Sequence, residues 1–430
     1  MQDAEPIQSP LIETLSIPSG PYLPLEDIVA PLFFNSYLYV PRDPQFLDGF
    51  LEILPQSYAN TSIGSHLHLA TLAVSFFSVA AWTGRRDLLR SSEEFFIKAL
   101  PRVREALQCD ISRNLDELFT TVLLLNMYEE FYAIKEWNRP AKTHLRGAVA
   151  LVNYTRPGQL DSPFSGTIAN TIQNQIVRTS LGTNRVVQTP NHWPLSAPLA
   201  PTAPLQLTIA ASQLVNVRQA WEGLTSRPQP PARSDVADIL SKANDLDAHL
   251  STWTNRVPSH WTPVPASVIP NSVREAGLFQ NRCDCYPDVW VASIWNLYRD
   301  TRISLQHIIL NCLRLLQHND ADDKIQSALS AIQSLATDIC ATIPFFLGSQ
   351  TAPVQFNPNM VEYPETRELR TSACHRQTAP LLGGWYVMSY LDHICSPGLG
   401  LREEQLGWIR EQIRRVLQIY TFADQEGNLR

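Results

Sequence analysis

Apolar positions along this chain recur at spacings of three and four rather than two. Leu115, Leu118, Phe119, Val122 and Leu125 follow that rhythm, as do Ile239, Ala243, Leu246, Leu250, Trp253 and Val257. Ile325, Leu329, Ile332, Ala336, Ile339 and Ile343 repeat it, and Leu406, Ile409, Ile413, Val416 and Tyr420 repeat it again. At 3.6 residues per turn each set lines one helix face. No comparable run alternates strictly between apolar and polar residues, so no sheet is expected at the core. The expected fold class is all-α, a large irregular helical domain with proline-rich surface loops. Leu67 to Trp82 is apolar almost throughout but shorter than the roughly 20 residues a bilayer span needs. It also carries His68, Thr71, Ser75 and Ser78. A buried helix, with no membrane partner, is the expectation.

Between the periodic stretches the chain turns polar and proline-rich. Residues 1–25 read as a flexible lead-in and residues 26–430 as one helical domain. Pro190, Pro194, Pro198, Pro201 and Pro204 punctuate one segment. Pro228, Pro230 and Pro231 break a second, and Pro258, Pro263, Pro265 and Pro270 a third. Proline cannot donate a backbone hydrogen bond, so these segments are extended or turned. Amphipathic helices flank all three, which favours loops crossing one helical body over domain linkers. No fixed-period repeat is visible.

Charge and cysteine content narrow the classes of function. The 34 basic and 41 acidic residues give a net charge of -7. Nucleic-acid binders draw affinity from neutralising phosphates, and this balance offers them no excess. Direct sequence-specific DNA binding is therefore not expected. Seven cysteines at scattered positions form no disulfide framework and fit a reducing compartment. Cys312, Cys340 and Cys395 sit among apolar helical residues, where a thiol behaves as a small hydrophobe. The N-terminus has neither the basic nor the apolar region of a signal peptide.

Chemistry-bearing clusters are sparse. Cys283-Asp284-Cys285 has a one-residue gap and no second pair, unlike structural zinc sites, and reads as a loop with two incidental thiols. His66 and His68 point about 200° apart on a helix, poor geometry for a shared metal. Cys374-His375 has no identifiable base beside it. There is no G-x-S-x-G elbow, no phosphate-binding loop and no H-E-x-x-H. Gly398 and Gly400 lack the third glycine of a dinucleotide fingerprint. Glu129-Glu130 and Glu403-Glu404 read as solvated helix faces, and Arg85-Arg86 and Arg414-Arg415 as solvated helix edges. No catalytic residue, cofactor or metal ligand is nominated.

Two segments say more. In Lys142 to Val152, Leu145, Ala148, Val149 and Val152 share one helix face. Gly147 inside that helix costs about 1 kcal/mol relative to alanine, so a close helix–helix approach is expected there. His144 and Arg146 are expected to cap or brace neighbouring helix ends. In the second segment, Pro287 suits a first helical turn, and Ile294, Tyr298, Leu305, Ile309 and Cys312 form a stripe. Arg302 falls on that apolar face and is expected to be largely buried with an acidic partner, an anion site being the weaker alternative.

These segments carry a resemblance. Lys142-Thr143-His144-Leu145-Arg146-Gly147-Ala148 resembles the H-x-R-G-A segment of the fungal-specific transcription factor domain. Trp295-Asn296-Leu297-Tyr298-Arg299, followed by Arg302-Ile303, resembles the W-N-x-Y-R-x-x-R-I helix of the same proteins. Asp338 to Pro344 and Leu381-Leu382-Gly383-Gly384-Trp385-Tyr386 resemble later helices of that domain, in matching order. The resemblance spans roughly residues 30 to 420. It implies the all-helical regulatory region of the Zn2Cys6 zinc-cluster family, with His144, Arg146, Gly147, Trp295, Tyr298, Arg299 and Arg302 as structural motif residues. The family's DNA-binding module needs six closely spaced cysteines, and the first cysteine here is Cys109. The implied function is transcriptional regulation or co-regulation of a fungal biosynthetic gene cluster in secondary metabolism. The implied location is the nucleus, with shuttling to the cytoplasm. The implied partners are a zinc-cluster DNA-binding factor and a small-molecule effector. The alternative is an enzyme or metabolite-binding protein on the same scaffold; a third reading is a truncated gene product whose upstream sequence supplies the cluster.

Overall fold

The computed structural model describes residues 24–37, 50–109, 115–136, 141–155, 165–182, 202–316, 321–354, 360–368 and 370–420. Among them run fourteen α-helices: α1 (Leu25–Tyr37), α2 (Leu54–Asn60), α3 (His66–Thr83), α4 (Arg86–Gln108), α5 (Leu115–Lys135), α6 (Thr143–Tyr154), α7 (Ser165–Gly182), α8 (Ala203–Thr225), α9 (Arg233–Trp253), α10 (Asn271–Gly277), α11 (Val289–Leu316), α12 (Ala321–Leu347), α13 (Ala373–Ile394) and α14 (Glu403–Tyr420). The two-residue strands β1 (Val264–Pro265) and β2 (Asp284–Cys285) pair antiparallel. The all-α expectation is borne out. Residues 1–23 of the lead-in, and the loop prolines Pro190, Pro194, Pro198 and Pro201, lie outside the described residues; α1 begins at Leu25, the lead-in's last position.

Two apolar cores form. α1 to α7 enclose the first, built on Phe76, Phe119, Leu124 and Leu145. α8 to α14 enclose the second, built on Trp261, Tyr286, Ile303, Ile339 and Tyr390. Helix α13 joins them: Leu381 and Leu382 belong to the first core, and Ala379, Val387, Tyr390 and Leu391 to the second. The helical faces read from spacing are where the cores form. Leu115, Leu118, Phe119, Val122 and Leu125 are all buried, as are Ile239, Ala243, Leu246, Leu250 and Trp253.

Helix α3, from the apolar Leu67–Trp82 stretch, is buried on nearly all sides. Ser65 caps it by accepting from the His68 N–H at 3.1 Å, and Gly84 ends it in the left-handed region at φ 69°. Two of its buried hydroxyls are satisfied in this apolar setting by local bonds. Thr71 donates to the Leu67 carbonyl at 2.8 Å and Ser78 to that of Val74 at 2.7 Å.

Pro204, expected in a loop, is instead buried in the first turn of α8, where a proline lacks only an N–H that has no helical partner; the other two described proline-rich segments are surface loops. Pro228 and Pro230 lie exposed between α8 and α9. The segment from Pro258 to Pro270 is held down by β1–β2 and by a bridge between Val268 and Glu365, whose two backbone bonds each measure 2.9 Å.

Candidate functional site: the polar spokes of helix α11

Helix α11 was expected to carry one apolar stripe; it is buried on nearly every side. Asp288 caps it by accepting from the Val291 N–H at 2.7 Å, so Pro287 precedes the cap rather than forming the first turn. A buried helix with polar residues must pair them. Three sets of partners do this, each on a different neighbour.

Toward α9, Arg302 donates from Nε to Asp247 Oδ1 at 2.7 Å and from Nη2 to Oδ2 at 2.9 Å. Its Nη1 donates to the Tyr298 hydroxyl at 3.1 Å, and Gln306 donates to Asp247 at 2.9 Å. Asp247 is thus the acidic partner, and the pair is bidentate. The Arg302 side chain keeps 20% of its surface exposed, less buried than its place on the apolar face implied. The reason is its length: the stem crosses the apolar face while the head reaches the rim. Tyr298 stacks on Trp253 at 5.0 Å, and Trp295 donates from Nε1 to the Trp261 carbonyl at 2.9 Å.

Toward α12 and the loop before α11, Arg299 is buried. Its Nη1 donates to the Tyr286 hydroxyl and to Asn296 Oδ1, both at 3.0 Å. Asn296 in turn donates to Thr342 Oγ1 at 2.9 Å. The segment Cys283-Asp284-Cys285, expected as a loop with incidental thiols, is instead buried and partly in β2. Arg282 anchors it by donating to Asp284 at 3.0 Å and to Asp338 at 2.6 Å. The neighbouring Cys285 sulfur and burial push the Cys283 thiol well above its ordinary pKa. Such a thiol is inert rather than nucleophilic.

Toward α13, His393 Nδ1 bonds Asp300 and its Nε2 lies 3.5 Å from Ser304 Oγ. The order Ser–His–Asp is that of a serine hydrolase relay. Its setting is not: all three residues are buried, and Ser304 sits inside a helix rather than on a sharp turn. On the same helix, His307 is pushed down to about 4 by burial and by the nearby His393, Arg218 and Arg314.

The other motif lies in the first core, so the structure does not bring the two groups together. On α6, the Thr143 N–H donates to Glu129 at 3.1 Å, the His144 N–H donates at 3.4 Å, and the His144 ring lies 3.3 Å from the same carboxylate. Glu130 accepts from Lys142 at 2.6 Å and from Asn126 at 3.1 Å. Glu129 and Glu130 are therefore not the solvated face their sequence implied: Glu129 caps α6, where a carboxylate meets free N–H groups, and Glu130 is tied to Lys142 and Asn126. Burial raises the Glu129 pKa, but bonds from His144 and the backbone outweigh it and hold the carboxyl below its ordinary value. Arg146 is exposed, with no bracing partner among the described residues. A Cβ on Gly147 would meet only Val122, at an ordinary 3.8 Å, so no close approach requires this glycine.

Close approach occurs instead at Gly383 and Gly384. A Cβ on Gly383 would lie 2.2 Å from the Phe346 carbonyl oxygen, and one on Gly384 2.2 Å from the Tyr420 ring. Tyr420 donates to the Leu381 carbonyl at 2.8 Å and accepts from the Gly384 N–H at 3.2 Å, fastening α14 to α13. Arg415, expected on a solvated edge, is buried. It donates to the carbonyls of Gly348 at 2.6 Å, Gln350 at 2.8 Å and Ala276 at 3.2 Å, closing the C-terminal ends of α12 and α10. Arg414 beside it is exposed, as expected.

His66 Nδ1 bonds Thr121 at 2.8 Å, while His68 accepts from the Gly64 N–H at 3.3 Å. His375 donates to the Phe345 carbonyl at 3.0 Å, and Cys374 is exposed. Among the described residues no three His, Cys, Asp or Glu side chains converge as metal ligands do. A cavity of about 20 Å³, room for about one water, lies on the seam between the cores beside Phe77, Phe131, Trp385 and Tyr420.

Much of the polar interior of this helical body ties helices to one another. Residues 25–179 match the fungal specific transcription factor domain. The resemblance read from the sequence is borne out over the matched residues, which include the H-x-R-G-A segment; the α11 motif and the later helices lie beyond them. The chain is also 24% identical over 328 residues to the transcription factor dbaG of Emericella nidulans, covering 75% of this chain and 74% of that one. No solved structure matches.

Proposed function

We propose that this protein is a nuclear transcriptional regulator or co-regulator of a fungal biosynthetic gene cluster, working through a zinc-cluster partner that reads the DNA. The transcription factor domain over residues 25–179 carries this reading. The relative named as a transcription factor, similar over three quarters of both chains, supports it. His144, Trp295, Tyr298, Arg299 and Arg302 act as structural ties in this reading, and a small-molecule effector acts on the scaffold they hold. Deleting the gene and profiling transcripts tests it. Coordinated loss of message from several neighbouring genes is expected. Unchanged messages with one accumulating intermediate would replace it with the enzyme reading, for which the Ser304–His393–Asp300 chain is the place to look.

A further inference from the structure

Along one flank of α4, exposed apolar side chains line up with charged ones. Leu88, Leu89, Ser92 and Ala99 are buried on its inner side. On the outer side Ile97 is 65% exposed, Leu107 41% and Leu100 39%. Arg90, Glu93, Ile97, Leu100, Arg104 and Leu107 step by three and four, so they form one stripe. Exposed Pro101 borders it. At its flank Phe96 stacks on Tyr128 at 4.3 Å, and Tyr128 on the exposed Tyr132. Other charges of the helix are used within it: Lys98 pairs with Glu94 at 3.9 Å and Arg102 with Glu105 at 2.9 Å. Arg90, Glu93 and Arg104 have no ion-pair partner among the described residues.

The stripe is complementary to itself. We propose that α4 is a self-association face, on which a second copy of this chain lays the same helix antiparallel about a two-fold axis between Lys98 and Ala99. In that register Ile97 faces Leu100 of the second copy, Glu93 faces Arg104, and the Arg90 stem covers Leu107. All three pairs share the same midpoint, as an isologous contact requires. Each contact occurs twice, so the centre is four apolar side chains flanked by two opposite-charge pairs. The stripe is about 27 Å long at 1.5 Å per residue. One helix pair of that length buries less than the roughly 800 Å² per partner of a standard interface. The dimer is therefore weak, with a Kd on the order of micromolar.

Sedimentation velocity on the whole chain, at roughly 1 to 100 µM, reads this directly. A reversible monomer–dimer equilibrium is expected, weakened at least about tenfold by Glu93→Arg or by Arg104→Glu, since each reversal creates two like-charge contacts. The double variant Glu93→Arg/Arg104→Glu restores the wild-type equilibrium, and Ile97→Asp abolishes the dimer. Melting curves separate these effects from misfolding: they are expected to be unchanged at exposed Ile97 and Arg104 and nearly so at half-buried Glu93. A chain monomeric throughout, a dimer indifferent to Ile97→Asp, or a double variant no better than either single one overturns the proposal. A monomeric chain that instead binds a different protein through α4 overturns it as well.

Discussion

The guanidinium of Arg302 is held by three bonds, two to Asp247 and one to Tyr298. Removing it leaves Asp247, 14% exposed at its side chain, with Gln306 alone among the described residues bonded to it. Arg302→Ala should cost about 3 kcal/mol in urea denaturation. Arg302→Lys should recover only part of that, because an ammonium cannot make the bidentate contact. An unchanged denaturation midpoint for Arg302→Ala would show the pair to be energetically idle. The sequence exposed half of this arrangement: an arginine on an apolar stripe demands a partner. The partner itself was illegible, because Asp247 sits 55 positions away on a different amphipathic helix. His307 gives a second residue-level test. Its pKa falls from 6.5 to about 4 on folding, so the folded chain refuses a proton the unfolded chain accepts. Stability is full above pH 6.5 and is lost as pH falls toward 4. His307→Asn should flatten that part of the pH–stability curve; an identical slope in the variant would mean that other groups set it.

At the scale of helices, glycine divides into two kinds that composition does not distinguish. Gly147 has room for a methyl group inside α6, so Gly147→Ala should stabilise by about 0.5 to 1 kcal/mol through helix propensity alone. Gly383 lies where α13 meets the Phe346 carbonyl of α12, and Gly383→Ala should destabilise by about 1 to 3 kcal/mol or more through forced separation of the two helices. Paired denaturation curves that move in the same direction would contradict this division. Helix faces were legible from the three-and-four rhythm because burial follows periodicity directly. Caps were less so. Glu129, Glu130 and Arg415 look like surface charges in a sequence, since a charged residue beside a like charge usually is one. Their roles depend on which helix end arrives next to them, and that is fixed only by tertiary packing. Arg415 finds carbonyls from α10 and α12, 139 and 67 positions away.

For the whole molecule, the polar interior answers inward. The spokes of α11 are engaged with α9, α12 and α13, and buried Arg415 serves helix ends, so these arginines are not free for phosphate. The surface carries the remaining basic residues among a larger number of acidic ones, for a net charge of -7. Specific reading of DNA needs an element that enters a groove and presents side chains to base edges. Affinity needs several Lys or Arg contacts to phosphates, with a salt dependence that grows with their number. On α4 two of the basic side chains, Lys98 and Arg102, are matched by Glu94 and Glu105. The 430-residue chain, purified alone, should therefore give no sequence-specific complex with promoter duplexes in a mobility-shift assay at near-physiological salt. In the proposed reading, a tagged copy should enrich promoters by chromatin immunoprecipitation only while a separate DNA-binding factor is present. A sequence-selective complex that survives raised salt with the purified chain would remove the partner from the mechanism and assign the reading of DNA to one of these helices.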